Sequence, residues 1–229
     1  MSDNDPAGRA VSARDSGRET AVSSEPITFH HLALHVCCAP CFLESYDYLA
    51  GLDPQPGPGA GSVLTSDGIA VQFETITAIY YNPNIGPEAE YRRRRDAFIT
   101  YAGDRGFEHV VLEYDPARWI EATIDDTEFG TRCRACYDLR FEVVAAWAAE
   151  QGCDALTTTL TISPWQNQEA IALSGRAAAR AAGLTWLSFD LQPLFAQSQR
   201  RARELGIYRQ NYCGCVYSKV EGEQRRAHR

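Results

Sequence analysis

Three of the eight cysteines of this chain lie within five residues, in the segment His35-Val-Cys-Cys-Ala-Pro-Cys41. The apolar run before it, residues 28–36, predicts a buried strand, and residues 42–49 predict a helix. The thiols would therefore stand at a strand-to-helix turn, where ligands collect in α/β folds. Unpaired N–H groups at a helix start favour the thiolate, which is the form that binds metal or attacks an electrophile. The segment predicts metal or redox chemistry.

A second pair, Cys133-Arg-Ala-Cys136, stands at the start of a helix predicted over residues 133–151. Because both cysteine groups lie at predicted helix starts, they can converge on one edge of a sheet. We expect the adjacent thiols of Cys37 and Cys38 to diverge, which suits different irons of a cluster better than one tetrahedral zinc ion. Structural zinc and unmetallated redox thiols stay open as alternatives.

The remaining cysteines are Cys213-Gly-Cys215 and the lone Cys153. A disulfide between residues two apart closes a small strained ring and is easily reduced, so this pair predicts a redox couple. The alternative is two further metal ligands. Cys153 is interpreted as a small core residue. Spacing gives Cys41 no assignment, and His35 is interpreted as a neighbour of the site.

The elements around these cysteines alternate between strand and helix patterns. This alternation predicts an α/β fold with a Rossmann-like parallel sheet of about five strands and helices on both faces. We predict a single domain over residues 27–218. Three segments flank or interrupt it: a disordered tail over 1–26, a Pro/Gly-rich insertion at about 51–68 and a flexible basic tail over 219–229.

The composition suits a globular protein of the cytoplasm. The chain has 229 residues, of which 45% are apolar, and nothing in it approaches the ~18 consecutive apolar residues of a membrane span. In the cytoplasm thiols stay reduced, so clustered cysteines indicate metal or redox chemistry. The net charge of −8 argues weakly against a nucleic-acid partner. Residues 190–229 nevertheless carry eight basic and four acidic side chains, for which a solvated face is the ordinary interpretation.

Taken together, these motifs resemble the QueH-type epoxyqueuosine reductases. They run in order from about residue 30 to residue 218. The segments that carry the resemblance are His35–Cys41, Tyr81-Asn-Pro-Asn-Ile85, Glu90-Tyr91 with Arg94, Tyr114–Trp119, Cys133–Tyr137 with Arg140, Thr157–Pro164 and Tyr208–Cys215.

The resemblance implies a HUP-class fold and a two-electron removal of the epoxide oxygen of epoxyqueuosine at the tRNA wobble position. It also implies a [4Fe-4S] cluster on Cys37, Cys38, Cys133 and Cys136, and a redox-active Cys213–Cys215 pair. A second, mononuclear metal ion would lie nearby, with Cys41 a candidate ligand. An unidentified donor would supply electrons. Substrate contacts are expected from Tyr81, Asn82, Tyr137, Arg200, Arg201, Tyr208 and Arg209.

Two other functions compete with this one. A non-catalytic, zinc-binding RNA module would use the sulfurs only as structure. An ATP-dependent tRNA thiolase would need a Ser-Gly-Gly-x-Asp-Ser-like phosphate loop after the first strand, where this chain has cysteines. One departure from the family pattern is Phe189-Asp190-Leu191, because the family often has Asp-Phe-Arg there.

Overall fold

The computed structural model describes residues 25–52 and 61–227. Most of the predicted N-terminal tail and residues 53–60 of the predicted insertion lie outside these ranges. Within them, two short 3-10 helices, Thr159–Ile162 and Gln192–Leu194, accompany the main elements. In chain order these are β1 (Ile27–Val36), α1 (Ala39–Leu49), β2 (Val63–Leu64), β3 (Ala70–Tyr80), α2 (Glu88–Asp104), β4 (His109–Val111), α3 (Pro116–Thr123), α4 (Thr131–Glu150), β5 (Ala155–Thr158), α5 (Gln168–Ala181), β6 (Thr185–Trp186), α6 (Phe195–Glu204) and α7 (Val216–Ala227).

The described strands form one sheet in which β4, β3, β1, β5 and β6 run parallel. The predicted parallel sheet is therefore confirmed. After β1 the chain adds β3 and β4 on one side, and it then crosses over to add β5 and β6 on the other. The strand order thus reverses between β1 and β5. In open α/β sheets, ligands bind outside the carboxyl ends of the strands at this switch point.

Alternate residues of β1 face two different cores, as the two-residue period of a strand requires. Leu32 and Leu34 pack with Phe42 of α1, Phe98 of α2 and other apolar side chains on one face. Ala33 packs on the other face with residues of α4 and α5, among them Val144, Ala148 and Ala179. Both faces of the sheet are covered, as predicted, and β1 is buried at its centre.

Two segments differ from the sequence prediction. The predicted insertion contains β2, which pairs antiparallel with the start of β3. Residues 219–227, predicted to belong to a flexible tail, instead form most of α7. This helix is anchored because Tyr217 packs near Trp119, while Glu221 forms a 2.8 Å ion pair with Arg132. In the described part of the chain, no helix is long and apolar enough to cross a membrane.

Candidate metal centre

The sulfur atoms of Cys37, Cys38 and Cys41 lie within 4.8 Å of one another. We call this group the thiol trio. Cys38 is the N-cap of α1, and Cys41 stands three residues later, a spacing that places two residues on the same side of a helix. The prediction that Cys37 and Cys38 diverge is wrong, because their sulfurs are 3.8 Å apart. Cys41, which spacing could not assign, belongs to the same group.

The trio lies at the switch point of the sheet. Cys37 follows β1 directly, and its N–H donates to Thr159 Oγ1, just past the end of β5 (3.1 Å). Hydrogen bonding with Cys38 and Cys41 lowers the pKa of the Cys37 thiol well below its ordinary value. The same contacts raise the pKa of Cys41, and Cys37 raises that of Cys38 to about 12. Cys37 is therefore the first thiol of the trio to lose its proton.

Cys133 and Cys136 occupy the first two turns of α4, outside the trio. Cys37 and Cys133 pack against the same buried cluster, formed by Tyr137, Phe141, Leu160 and Ile171. Cys136 packs instead with Cys215, Trp119 and Leu139. Burial raises the pKa of both α4 thiols. The structure thus brings all three cysteine groups to one end of the sheet, and the assignment of four of these residues as cluster ligands stays a prediction.

Cys213 and Cys215 are not joined by a disulfide, and their sulfurs lie 3.8 Å apart. Cys213 is exposed and Cys215 is buried. Contacts with Cys215 first, and with Ser218, lower the pKa of Cys213 to about 6, whereas Cys213 raises the pKa of Cys215. The Ser218 hydroxyl lies 3.0 Å from the Cys213 sulfur and donates to the backbone oxygen of Cys215 (2.8 Å). At neutral pH the pair holds one thiolate, on its exposed member.

The Cys-Gly-Cys loop is hydrogen-bonded to α2 and to the turn that follows β3. Arg94 Nη1 donates to the backbone oxygen of Cys213 (3.1 Å), and the Gly86 N–H donates to that of Gly214 (3.1 Å). Gly214 has φ +130°, and an added Cβ would lie 2.7 Å from Ile85 Cγ1. Both its backbone conformation and its close packing require glycine.

A buried polar group lies beside the trio, and its arginine, Arg140, was given no role from the sequence. Arg140 Nη2 donates to Asn82 Oδ1 (2.5 Å) and lies 3.3 Å from His35 Nε2. Asn82 Nδ2 donates to the backbone oxygen of Val36 (2.9 Å), and His35 Nδ1 lies 2.7 Å from Thr158 Oγ1. Burial, and then the charge of Arg140, lower the pKa of His35 to about 3. His35 is therefore neutral at neutral pH.

The predicted substrate residues fall into two sets. Tyr81, Asn82 and Tyr137 are buried. Tyr137 packs with Cys37 and Cys133, and its hydroxyl donates to Gln166 Oε1 (2.6 Å). The second set comprises Arg200, Arg201, Tyr208 and Arg209, and two of its members are bound within the fold. The Tyr208 hydroxyl donates to Glu90, and Arg201 contacts side chains of α1 and α2. Arg200 and Arg209 are exposed.

Arg201 serves to hold α6 against the rest of the fold. Its guanidinium pairs with Asp47 (2.6 Å) and Glu44 (3.1 Å) and donates to the Tyr101 hydroxyl (3.1 Å). These partners engage both terminal nitrogens of the guanidinium, which an RNA phosphate would otherwise contact. The prediction of Arg201 as a substrate contact did not include this ion pairing, because the acidic partners lie more than 150 positions away in sequence.

Replacing Arg201 by methionine should therefore lower the free energy of unfolding by about 2 kcal/mol. The substitution strands two carboxylates in a partly buried site. Urea denaturation followed by circular dichroism measures the loss, and Arg200→Met, one residue away and exposed, should change stability by less than about 0.5 kcal/mol. Equal stabilities of the two variants, together with weaker RNA binding by Arg201→Met, would restore Arg201 as an RNA contact.

The fold and the site together define a class: an α/β protein with a buried thiol group, fit for a metal, at its switch point. The family model described as epoxyqueuosine reductase QueH matches residues 59–221. A relative named epoxyqueuosine reductase QueH from Dehalococcoides mccartyi is 32% identical over 194 residues, which is 83% of this chain and 93% of the relative. This chain belongs to the QueH family.

Other relatives of the same name agree with this assignment. The protein of Histophilus somni is 32% identical, with 84% of this chain and 74% of that protein covered. The protein of Thermotoga maritima is 29% identical, with 85% and 93% covered. Among solved structures, a U34-tRNA thiolase NcsA from Methanococcus maripaludis with its [4Fe-4S] cluster gives a TM-score of 0.47 at 13% identity, covering 82% of this chain and 61% of that one.

Proposed function

We propose that this protein is an epoxyqueuosine reductase, which removes the epoxide oxygen of epoxyqueuosine in the anticodon wobble position of tRNA. The observation that carries the proposal is membership of the QueH family over most of the chain. The convergence of the three cysteine groups at one end of the sheet supports it. The reaction consumes two electrons and two protons, and it gives an alkene and one water for each epoxide. Its place would be the cytoplasm, where tRNA is modified and thiols stay reduced.

The thiols suit the iron–sulfur centre that this chemistry needs. All eight cysteines are unpaired by disulfides, and the trio is buried with soft sulfur donors facing one another. We assign Cys37, Cys38, Cys133 and Cys136 to a [4Fe-4S] cluster, and Cys41 to a second metal ion beside it. When bound, the cluster supplies single electrons and the metal ion supplies Lewis acidity toward the epoxide oxygen.

The Cys213–Cys215 dithiol is proposed as the second redox element. Its oxidation to a disulfide releases two electrons, the number that one epoxide reduction consumes. An external electron donor would then return the pair to the dithiol. Tyr81 and Tyr137, both predicted substrate contacts, are candidate proton donors to the leaving oxygen. Burial raises the pKa of both phenols, which keeps them protonated at neutral pH.

The RNA would approach the exposed edge of this site. Arg200 and Arg209 are the predicted phosphate contacts whose side chains are exposed. In the described ranges, Trp165 and Phe129 are the two aromatic side chains exposed over more than half of their surface, at 79% and 70%. Trp165 precedes Gln166, the partner of Tyr137, and Phe129 immediately precedes the N-cap of α4. Exposed rings beside a site stack on unpaired bases.

Replacing Trp165 by alanine should raise the dissociation constant for an anticodon stem-loop about tenfold, because stacking of one base contributes roughly 1–3 kcal/mol. Fluorescence anisotropy of a labelled stem-loop measures the change. Ile27→Ala, which removes an exposed apolar side chain at the opposite end of β1, is the matched control. Equal affinities of Trp165→Ala and the wild type would exclude base stacking on this ring.

Incubation with a defined substrate tests the function itself. Anaerobically reconstituted protein, a strong reductant and a stem-loop that contains epoxyqueuosine should give a nucleoside lighter by one oxygen atom in mass spectrometry. A cluster-loaded sample that leaves the nucleoside unchanged would refute the assignment. A colourless, zinc-loaded protein that binds RNA without turnover would identify the non-catalytic alternative.

A further inference from the structure

Arg140 differs from the other buried arginines in having no acidic partner. Three arginines of the described chain are at most 4% exposed: Arg94, Arg132 and Arg140. Arg94 pairs with Glu90 at 2.7 Å, and Arg132 pairs with Glu221 at 2.8 Å. Arg140 has no Asp or Glu within ion-pair distance among the residues that the structure describes. Its hydrogen bonds go to Asn82 and His35, both neutral, and its Nε has no partner.

An unpaired buried cation is unstable unless an anion compensates it. Removing a guanidinium from water is strongly unfavourable, and neutral hydrogen-bond acceptors offset only part of the penalty. The fold nevertheless holds the side chain firmly, because Asn82 is itself tied to the backbone of β1. The surroundings of Arg140 are therefore expected to carry negative charge in the working protein.

The available anions are the cysteine thiolates. Cys136 lies one turn earlier on α4, four residues from Arg140 and on the same face of the helix. Arg140 also contacts His35, near the end of β1, and Asn82, which donates to the backbone oxygen of Val36, the residue before Cys37. The guanidinium thus borders both the first turns of α4, which carry Cys136, and the end of β1, which leads into Cys37.

We propose that Arg140 is the counter-charge of the sulfur centre and sets its reduction potential. A cluster held by four thiolates is anionic, and reduction makes it more so, which means that a nearby cation favours the reduced form. Asn82 and the neutral His35 position the guanidinium. This inference rests on the iron–sulfur centre of the proposed function. Arg140 is a positioning residue, because its assigned role is to act through the sulfurs.

The test compares Arg140→Gln with Arg140→Lys in anaerobically reconstituted protein. Optical redox titration of the cluster gives a midpoint potential that does not depend on turnover. Arg140→Gln removes the charge but keeps an amide donor for Asn82. It should reduce the equilibrium constant for cluster reduction about tenfold or more, equivalent to at least ~59 mV for a one-electron couple. Arg140→Lys keeps the charge and should recover most of the wild-type midpoint.

Arg134→Gln is the matched control, because it removes a charge from the same helix but from a side chain that is 41% exposed and paired with Asp138. It should leave the midpoint unchanged. If Arg140→Gln takes up no cluster while Arg140→Lys does, with equal circular dichroism, the charge is required and the proposal stands. Equal midpoints in loaded wild type and loaded Arg140→Gln overturn it, as does equal loss of the cluster in both Arg140 variants. A wild type that takes up no iron–sulfur cluster overturns the proposed function as well.

Discussion

Serine in place of Cys37 is expected to remove the iron–sulfur cluster and to lower the rate of epoxide reduction by more than ~100-fold, since loss of an outer-shell partner alone costs roughly 10–100-fold. Cys37 combines three properties. It follows β1 at the switch point, it carries the lowered pKa of the trio, and it shares a buried cluster with Cys133. A serine hydroxyl is far less acidic and is a poor ligand for iron. Iron and acid-labile sulfide per chain, together with the visible absorption spectrum, measure the loss.

Cys41→Ser separates the two metal assignments. If Cys41 holds the second ion, this variant keeps the cluster absorption but loses the additional metal. If Cys41 is instead a cluster ligand, it behaves as Cys37→Ser does. Cys153→Ala is the control for cysteine loss as such, because Cys153 is buried in the core on the α4 and α5 face. A Cys37→Ser protein with full iron content and wild-type turnover would contradict the ligand assignment.

The sequence was sufficient to predict how the sheet brings the thiols together. An apolar strand followed by Pro40 and a helix predicts the turn at Cys37, and strand–helix alternation predicts parallel strands whose carboxyl ends meet. The orientation of Cys41 could not be predicted in this way. It depends on the residue at which α1 begins, because only a helix with Cys38 as its N-cap turns Cys41 back toward that residue.

The surroundings of the thiols depend on contacts between distant residues. Arg140 meets His35 105 positions away and Asn82 58 positions away. Local patterns contain no information on such pairs. For the same reason Arg201 was predicted as a substrate contact, although it pairs with Asp47 from 154 positions away. The residue types at the site were readable from the sequence, but their charge balance required the structure.

Alanine in place of Cys213 is expected to lower the steady-state rate of epoxide reduction by more than ~100-fold, the scale on which loss of a participating group acts. Cluster absorption and affinity for the stem-loop should stay at wild-type values. We expect the rate to fall while the cluster and the RNA affinity are kept, because Cys213 is exposed beside Ser218 and lies outside the thiol trio. Cys215→Ala should reduce the rate to the same extent, since a disulfide needs both sulfurs. If either variant turned over at the wild-type rate, the dithiol would not carry electrons to the substrate.

A single-turnover experiment makes this argument quantitative. Protein that is first reduced and then freed of external reductant stores two electrons in the dithiol, enough for one epoxide. It should therefore convert close to one equivalent of substrate and then stop, with the loss of two titratable thiols. Cys213→Ala should convert much less under the same conditions, while Cys153→Ala should match the wild type. Conversion without any loss of thiols would assign both electrons to the metal centre, and the Cys-Gly-Cys loop would then have only a structural role.

The unequal acidity of the two thiols gives an independent check. Because the pKa of Cys213 is lowered to about 6 and that of Cys215 is raised, iodoacetamide at neutral pH should modify Cys213 first.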